Sequence, residues 1–252
     1  MTRGGAVVAC RAHNPKVAGS SPAPATKSFI LLTFIMSQAL ILFSGGQDST
    51  TCLAQACADY PGEVMAIGFD YGQRHTIELE QAAKLAKLAK VDYHVINLPF
   101  IAALSRNALT SNDVEITHEE GQLPSTFVPG RNLFFLSAAA VFAREHNIQI
   151  LYTGVCETDY SGYPDCRSDF IASATTTINL AMETNIEIRT PLMHLSKAET
   201  VQLMQGLGKS DWYAESHTCY EGKRPACGVC PACVLRLKGF AEAGVEDPLV
   251  YI

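Results

Sequence analysis

The sequence predicts an α/β protein built on a doubly wound parallel sheet, with a small metal-binding segment near its C-terminus. Three observations carry that prediction. Short apolar runs of strand length alternate with amphipathic stretches of helix length. The residues with chemical character follow those runs, where sheets of this kind bind their ligands. Four of the nine cysteines crowd into residues 219–233. At 252 residues, 48% apolar and only 17% charged, the chain can bury the core of one large domain. That composition excludes a disordered chain or a coiled coil.

Residues 39–43 are an apolar run that ends at Ser44-Gly45-Gly46, and 48–59 read as the helix that follows. A second strand is expected at 64–69. Residues 76–89 place Leu79, Ala82, Ala83, Ala86 and Leu88 on one helical stripe. The third strand is expected at 93–98. Residues 105–128 are polar and irregular, too long for a plain connection, and read as a functional lid or edge insertion. A strongly apolar, buried helix is expected at 133–145, then a strand at 149–152 that ends at Thr153-Gly154. A helix at 170–183, a strand at 186–189 and a helix at 197–205 complete the alternation. A parallel sheet covered on both faces follows from it.

Residues 1–35 stand apart. Up to Lys27 they are rich in Ala, Pro, Ser and Gly, with four basic residues and no acid. The basic part is too long and the apolar part too short for a secretory signal. We read residues 1–35 as a non-native or disordered extension, the product of a mistaken translation start, with the true beginning at Met36. The main domain then covers 36–217 and the C-terminal segment 218–252. The net charge of −6 gives no broad attraction for nucleic acid or an anionic membrane. No apolar run nears the ~20 residues of a membrane span. An odd cysteine count with one tight cluster fits reduced thiols and a cytoplasmic protein better than a secreted disulfide framework.

The stretch Phe43-Ser44-Gly45-Gly46-Gln47-Asp48-Ser49-Thr50 joins the first strand to its helix. Glycines let the backbone turn several N–H groups onto one anion, the helix N-terminus adds partial positive charge, and three hydroxyls supply donors. No GxxxxGK[ST], GxGxxG or GxSxG occurs. The plainer reading is a strand-to-helix turn with Asp48 or Ser49 as cap.

Cys219, Cys227, Cys230 and Cys233 have the two-residue spacings that let thiolates converge on one tetrahedral ion. Zinc and an iron–sulfur cluster both suit four thiolates. Four protein ligands would close the coordination sphere, so the role expected for such an ion is structural.

Residues 44–49 resemble the SGGxDS loop of the N-type ATP pyrophosphatase (PP-loop) superfamily, whose fold is adenine nucleotide alpha hydrolase-like. Three more stretches closely resemble motifs of the 7-cyano-7-deazaguanine synthases: Phe69-Asp70-Tyr71-Gly72-Gln73-Arg74-His75, Phe127-Val128-Pro129-Gly130-Arg131-Asn132, and residues 154–167. Thr218-Cys219-Tyr220 and Cys227-Gly228-Val229-Cys230-Pro231-Ala232-Cys233 match that family too. The resemblance covers residues 40–239 in order.

It implies an ATP-dependent carbon–nitrogen ligase of queuosine biosynthesis. Ammonia and 7-carboxy-7-deazaguanine would give 7-cyano-7-deazaguanine (preQ0) through adenylated acid and amide intermediates. The implied nucleotide site is Phe43, Ser44, Gly45, Gly46, Gln47, Asp48, Ser49, Thr50, Thr153 and Gly154. Asp48, Ser49, Lys197 and Arg131 are the implied catalytic residues. Arg131, Asn132, Tyr163, Asp165 and Arg167 are the implied substrate contacts, with Tyr160 and Asp169 adding polar and aromatic wall. The implied cofactors are Mg2+ with ATP and one structural Zn2+ held by the four cysteines, and the family suggests a homodimer. A tRNA thiolase would share the loop and cysteines but should be basic, and a zinc-ribbon nucleic-acid binder leaves the loop unexplained. His75 and His94 read as hydrogen-bonded structural residues, and Cys156 and Cys166 as packing or substrate-contact residues.

Overall fold

The computed structural model describes residues 37–117, 122–158 and 162–252. The expected extension at 1–35 and Tyr160 lie outside the described residues. Strands β1 (Ala39–Leu42), β2 (Val64–Asp70), β3 (Asp92–Asn97), β4 (Ile150–Tyr152) and β5 (Glu187–Arg189) form one sheet in the order β3-β2-β1-β4-β5. All four pairings are parallel, with Ala39 opposite both Val64 and Ile150. Helices α1 (Gln47–Asp59), α2 (Ile77–Ala89), α4 (Arg131–Glu145), α5 (Ser168–Met182) and α6 (Lys197–Gly206) fall where the periodicity expects them. Two more were not foreseen: α3 (Phe100–Leu104) and α7 (Pro231–Glu242).

Strand alternation divides the core. Ala39 and Ile41 of β1 face one side, where they share a buried cluster with Leu53 of α1, Leu85 of α2, Val201 of α6 and Phe240 of α7. Leu40 faces the other side, among Leu136 and Ala140 of α4 and Ile171 and Ile178 of α5. The sheet is thus covered on both faces, as expected.

Helix α4 corrects one expectation. Only Leu136, Ala139, Ala140 and Ala143 are buried, while Leu133 and Val141 are exposed. Its apolar residues run around the whole circumference, but the sheet takes only the stripe at i, i+3, i+4 and i+7.

From β1 the chain winds outward through β2 and β3, then crosses back to place β4 on the other side of β1. That reversal opens a crevice at the carboxyl ends of β1 and β4. No helix among the described residues is long and apolar enough to cross a membrane.

Candidate active site and cysteine cluster

The loop after β1 takes its shape from glycine. Gly45 has φ +76°, and a Cβ there would lie 2.8 Å from the backbone N of Ala82 in α2. Only glycine allows both that conformation and that approach. The hydroxyls of Ser44 and Ser49 meet at 3.1 Å, and Ser49 also donates to the Gly46 carbonyl at 3.2 Å. Facing the loop, Gly154 follows β4 so closely that a Cβ would sit 3.0 Å from the Asp48 carbonyl carbon. Behind it, the His217 N–H donates to the Gly45 carbonyl at 2.8 Å.

Asp48 lies in the first turn of α1, and its Oδ2 receives Lys197 Nζ at 2.5 Å. Lys197 is held at the first position of α6 by a capping box. There Ser196 Oγ accepts from the Glu199 N–H at 3.2 Å, and Glu199 Oε2 accepts from the Ser196 N–H at 2.7 Å. The Ser196 N–H, and the Ser196 hydroxyl that also donates to Glu199 Oε2 at 2.8 Å, hold the Glu199 carboxyl below its ordinary value. The other oxygen of Asp48, Oδ1, is buried with no partner, as are Gln47 Nε2 and Thr50 Oγ1. Buried polar atoms without partners are costly, and two of these residues, Gln47 and Asp48 in the first turn of α1, line a cleft where a ligand could complete them.

A cleft of about 360 Å3 opens over this loop. Phe43, Ser44, Gly46, Gln47, Asp48, Ser49, Thr153, Gly154, Arg131, Asn132, Tyr163 and Lys197 line it, so the structure brings most of the sequence-predicted site together. Gly45 and Thr50 lie behind this lining, with Thr50 fully buried in α1. Asp165 is placed differently. Its Oδ2 accepts from the Asn132 N–H at 3.0 Å and its carbonyl accepts from Asn132 Nδ2 at 3.0 Å, so it secures the start of α4. Arg167 is exposed and precedes α5 as its N-cap. Asp169, in the first turn of α5, is exposed as well.

Arg131 opens α4 and donates to the Tyr71 hydroxyl at 3.4 Å, its guanidinium 5.8 Å from that ring's centre. Tyr163 shares a 2.7 Å hydrogen bond with Thr126 and stacks against Phe127 at 5.6 Å. Glu78, which sequence reasoning missed, lies in the same lining. Burial pushes its carboxyl up to about 7, against the opposing pull of Arg131 and a hydrogen bond from Gln73. A signal existed: Glu78 stands four residues before Ala82, on the buried stripe of α2. His75 Nε2 is buried without a partner, and the ring packs against Gly222, where a Cβ would lie 2.4 Å from His75 Cγ.

The four cysteine sulfurs of Cys219, Cys227, Cys230 and Cys233 all lie within 4.8 Å of one another. Tetrahedral thiolates at ~2.3 Å from an ion stand about 3.8 Å apart, so the donor set fits a metal. Cys227 and Cys233 Sγ stand 3.9 Å apart, and the Cys230 N–H points at Cys227 Sγ from 3.3 Å. Cys230 caps α7, Cys233 lies in its first turn, and Leu249, Ala226 and Tyr251 wall the cluster.

A parallel sheet with a Ser-Gly-Gly loop at its switch point, together with a four-cysteine cluster, fits the PP-loop class that the sequence motifs resemble. The chain belongs to one family of that class: residues 38–244 match the model of queuosine biosynthesis protein QueC. It is 53% identical over 219 residues to a 7-cyano-7-deazaguanine synthase of Chromobacterium violaceum, covering 84% of this chain and 93% of that protein. A 7-cyano-7-deazaguanine synthase of Bacillus subtilis is 50% identical over 207 residues, covering 81% of this chain and 94% of that one. Among solved structures, NMN synthetase from Francisella tularensis is similar with a TM-score of 0.48 and 14% identity, over 84% of this chain and 79% of that chain.

Proposed function

We propose that this chain converts 7-carboxy-7-deazaguanine and ammonia to 7-cyano-7-deazaguanine with ATP; its relatives are named for making that product. The observation that carries the reading is one cleft of about 360 Å3 lined both by Ser44, Gly46, Asp48, Ser49 and Lys197 and by Arg131, Asn132 and Tyr163. The first set suits phosphates. The second offers a cation, an amide and an aromatic hydroxyl to a planar heteroaromatic acid.

In this reading Arg131 pairs with the substrate carboxylate and orients one oxygen toward the α-phosphorus of ATP. That oxygen forms the new P–O bond, and pyrophosphate leaves with the electron pair. The N–H groups of the loop, the Ser44 and Ser49 hydroxyls and Lys197 Nζ take up its charge. Ammonia then attacks the acyl carbon and AMP departs, leaving the amide. A second ATP activates the amide oxygen in the same way, and loss of AMP with the remaining amide protons gives the nitrile. Asp48, whose Oδ1 is buried and unpartnered, would hold the Mg2+ that accompanies ATP and neutralises phosphate charge. The four cysteines would hold Zn2+ in a closed, structural site. Asp165 would act indirectly by fixing Asn132, and Arg167 at the mouth of the loop. We propose further that the enzyme works as a cytoplasmic homodimer.

Incubating the purified chain with Mg-ATP, ammonium and 7-carboxy-7-deazaguanine, with product mass as readout, tests this directly. The expected result is the nitrile, abolished by Asp48→Ala. ATP turnover without nitrile would move the activity to another acceptor, and an absence of ATP turnover would overturn the reading.

A further inference from the structure

Arg236 of α7 is 1% exposed, among the most buried side chains in the protein, yet it carries a full charge. All five of its N–H donors are used. Nε and Nη2 grip the two Asp247 oxygens at 2.7 and 2.8 Å, and Nη2 also donates to the Tyr213 carbonyl at 3.1 Å. Nη1 donates to Ser216 Oγ at 2.6 Å and to Thr218 Oγ1 at 3.1 Å. A lone buried ion pair needs only its counter-ion. This one spends three donors on a single stretch of chain, Tyr213 to Thr218.

That stretch leads to the phosphate loop. Between the two gripped hydroxyls lies His217, whose N–H donates to the Gly45 carbonyl at 2.8 Å. Its own carbonyl oxygen would lie 3.5 Å from a Cβ on Gly46. Tyr213, at the other end, shares a 2.5 Å hydrogen bond between its hydroxyl and Thr51 Oγ1 in α1. Thr51 in turn donates to the Gln47 carbonyl at 3.1 Å. The loop is therefore braced at two points by a segment that Arg236 holds.

The same helix reaches the cysteine cluster and Lys197. Cys233 precedes Arg236 by three residues, one turn along the same face. Gly239 follows by three and packs so tightly on α6 that a Cβ would lie 2.6 Å from Lys197 Cβ. Asp247 is itself anchored by the Tyr251 hydroxyl at 2.6 Å, and Tyr251 bridges to Ala226 beside Cys227.

We propose that Arg236 is a positioning residue for nucleotide binding: it carries the order of the cysteine cluster through residues 213–218 to the phosphate loop. Arg236 borders the cleft, but its N–H donors are all engaged by protein acceptors, so it acts through the chain it holds. Its effect falls on how well the Gly45 and Gly46 backbone is preset for the anion. The inference rests on the ATP-binding reading above.

The test compares wild type with Arg236→Lys, which keeps the charge but loses the planar fork, and with Asp247→Asn, which keeps the shape but weakens the grip. Each is assayed as the metal-loaded full chain, with metal content per chain, Tm, KM for ATP, kcat at saturating ATP and direct binding of a non-hydrolysable ATP analogue. Arg236→Lys is expected to raise the KM and the analogue Kd about tenfold, about what one charge-assisted hydrogen bond is worth, with kcat and metal content held. Asp247→Asn should move both the same way by less. Should Arg236→Lys fail to fold, Thr218→Val removes one acceptor and should still weaken analogue binding. A lowered Tm with unchanged KM and Kd marks a purely structural role and overturns the inference. Wild type that binds no analogue overturns the ATP reading and this inference together, whereas wild type and variants binding equally overturn this inference alone.

Discussion

Lys197 Nζ stands 2.5 Å from Asp48 Oδ2, joining the first turn of α6 to the first turn of α1 beside the Ser44-Gly45-Gly46 turn. The lysine side chain is 12% exposed and the aspartate 27%, so the pair is only partly screened by solvent. Removing the ammonium leaves a carboxylate whose other oxygen already lacks a partner.

Lys197→Ala is therefore expected to cut kcat by about a hundredfold or more, the usual cost of losing one preset donor to developing charge. Steady-state kinetics alongside a thermal melt separate this from misfolding. Activity within about threefold of wild type would show that Lys197 serves only the packing of α6.

Gly154→Ala should act on the nucleotide without harming the fold. The new Cβ would meet the Asp48 carbonyl oxygen and the Ser49 nitrogen at 3.1 Å, which pushes the loop after β4 away from α1. A stability loss of about 1 kcal/mol and a rise in KM for ATP of about tenfold are expected. Urea midpoints and ATP titrations read the two separately. An unchanged KM would mean that the two loops give way without cost.

The alternation of strand and helix was legible because the apolar runs of strand length are short and separated by stretches of helix length, although α4 is apolar all round and Ala83 and Leu88 of the expected α2 stripe are exposed. The tight turn at Ser44-Gly45-Gly46 was legible because Gly45 needs its positive φ. Three features were not. Helix α7 hides behind the cysteine spacing, since Cys230 and Cys233 read as metal ligands before they read as helix cap and first turn. Arg236 lies three residues past the last cysteine and looks like a solvated charge. Only the fold brings Asp247, Ser216 and Thr218 around it. Asp165 was read as a substrate contact from its loop, and nothing local shows that its carboxylate reaches Asn132 across 33 residues.

Glu78 gives the stability a pH dependence whose sign can be worked out. Its folded pKa, about 7, lies above the ordinary 4.5, so the folded state holds the proton more tightly than the unfolded chain. The contribution is full below the unfolded value and is lost as pH rises through about 7. Relative to Glu78→Gln, wild type should lose roughly 2–3 kcal/mol between pH 5 and 8. Urea unfolding of both proteins at the two pH values gives the difference, and the variant cancels any change common to both, such as thiol protonation. Parallel pH curves would show that the carboxyl titrates normally.

The cysteine cluster is too small to hold itself together. Apart from three of the cysteines it buries only Ala226 and Leu249, far less than a free-standing core requires. Without an ion, the four sulfurs share no common centre to tie Cys219 and Cys227 to the start of α7 at Cys230 and Cys233. Phe240, however, sits in the core shared with α1 and α6, so the far end of α7 has its own anchor. Metal loss should then loosen the cluster and the start of α7 while the sheet stays folded. Cys230→Ser is expected to lose stoichiometric metal and to lower Tm by at least ~5 °C, with little change in far-ultraviolet circular dichroism. Treating wild type with a chelator should reproduce the shift, and adding zinc back should reverse it. A variant that keeps its full metal content and its melting temperature would show that Cys230 is not a ligand and that the four sulfurs converge for packing alone.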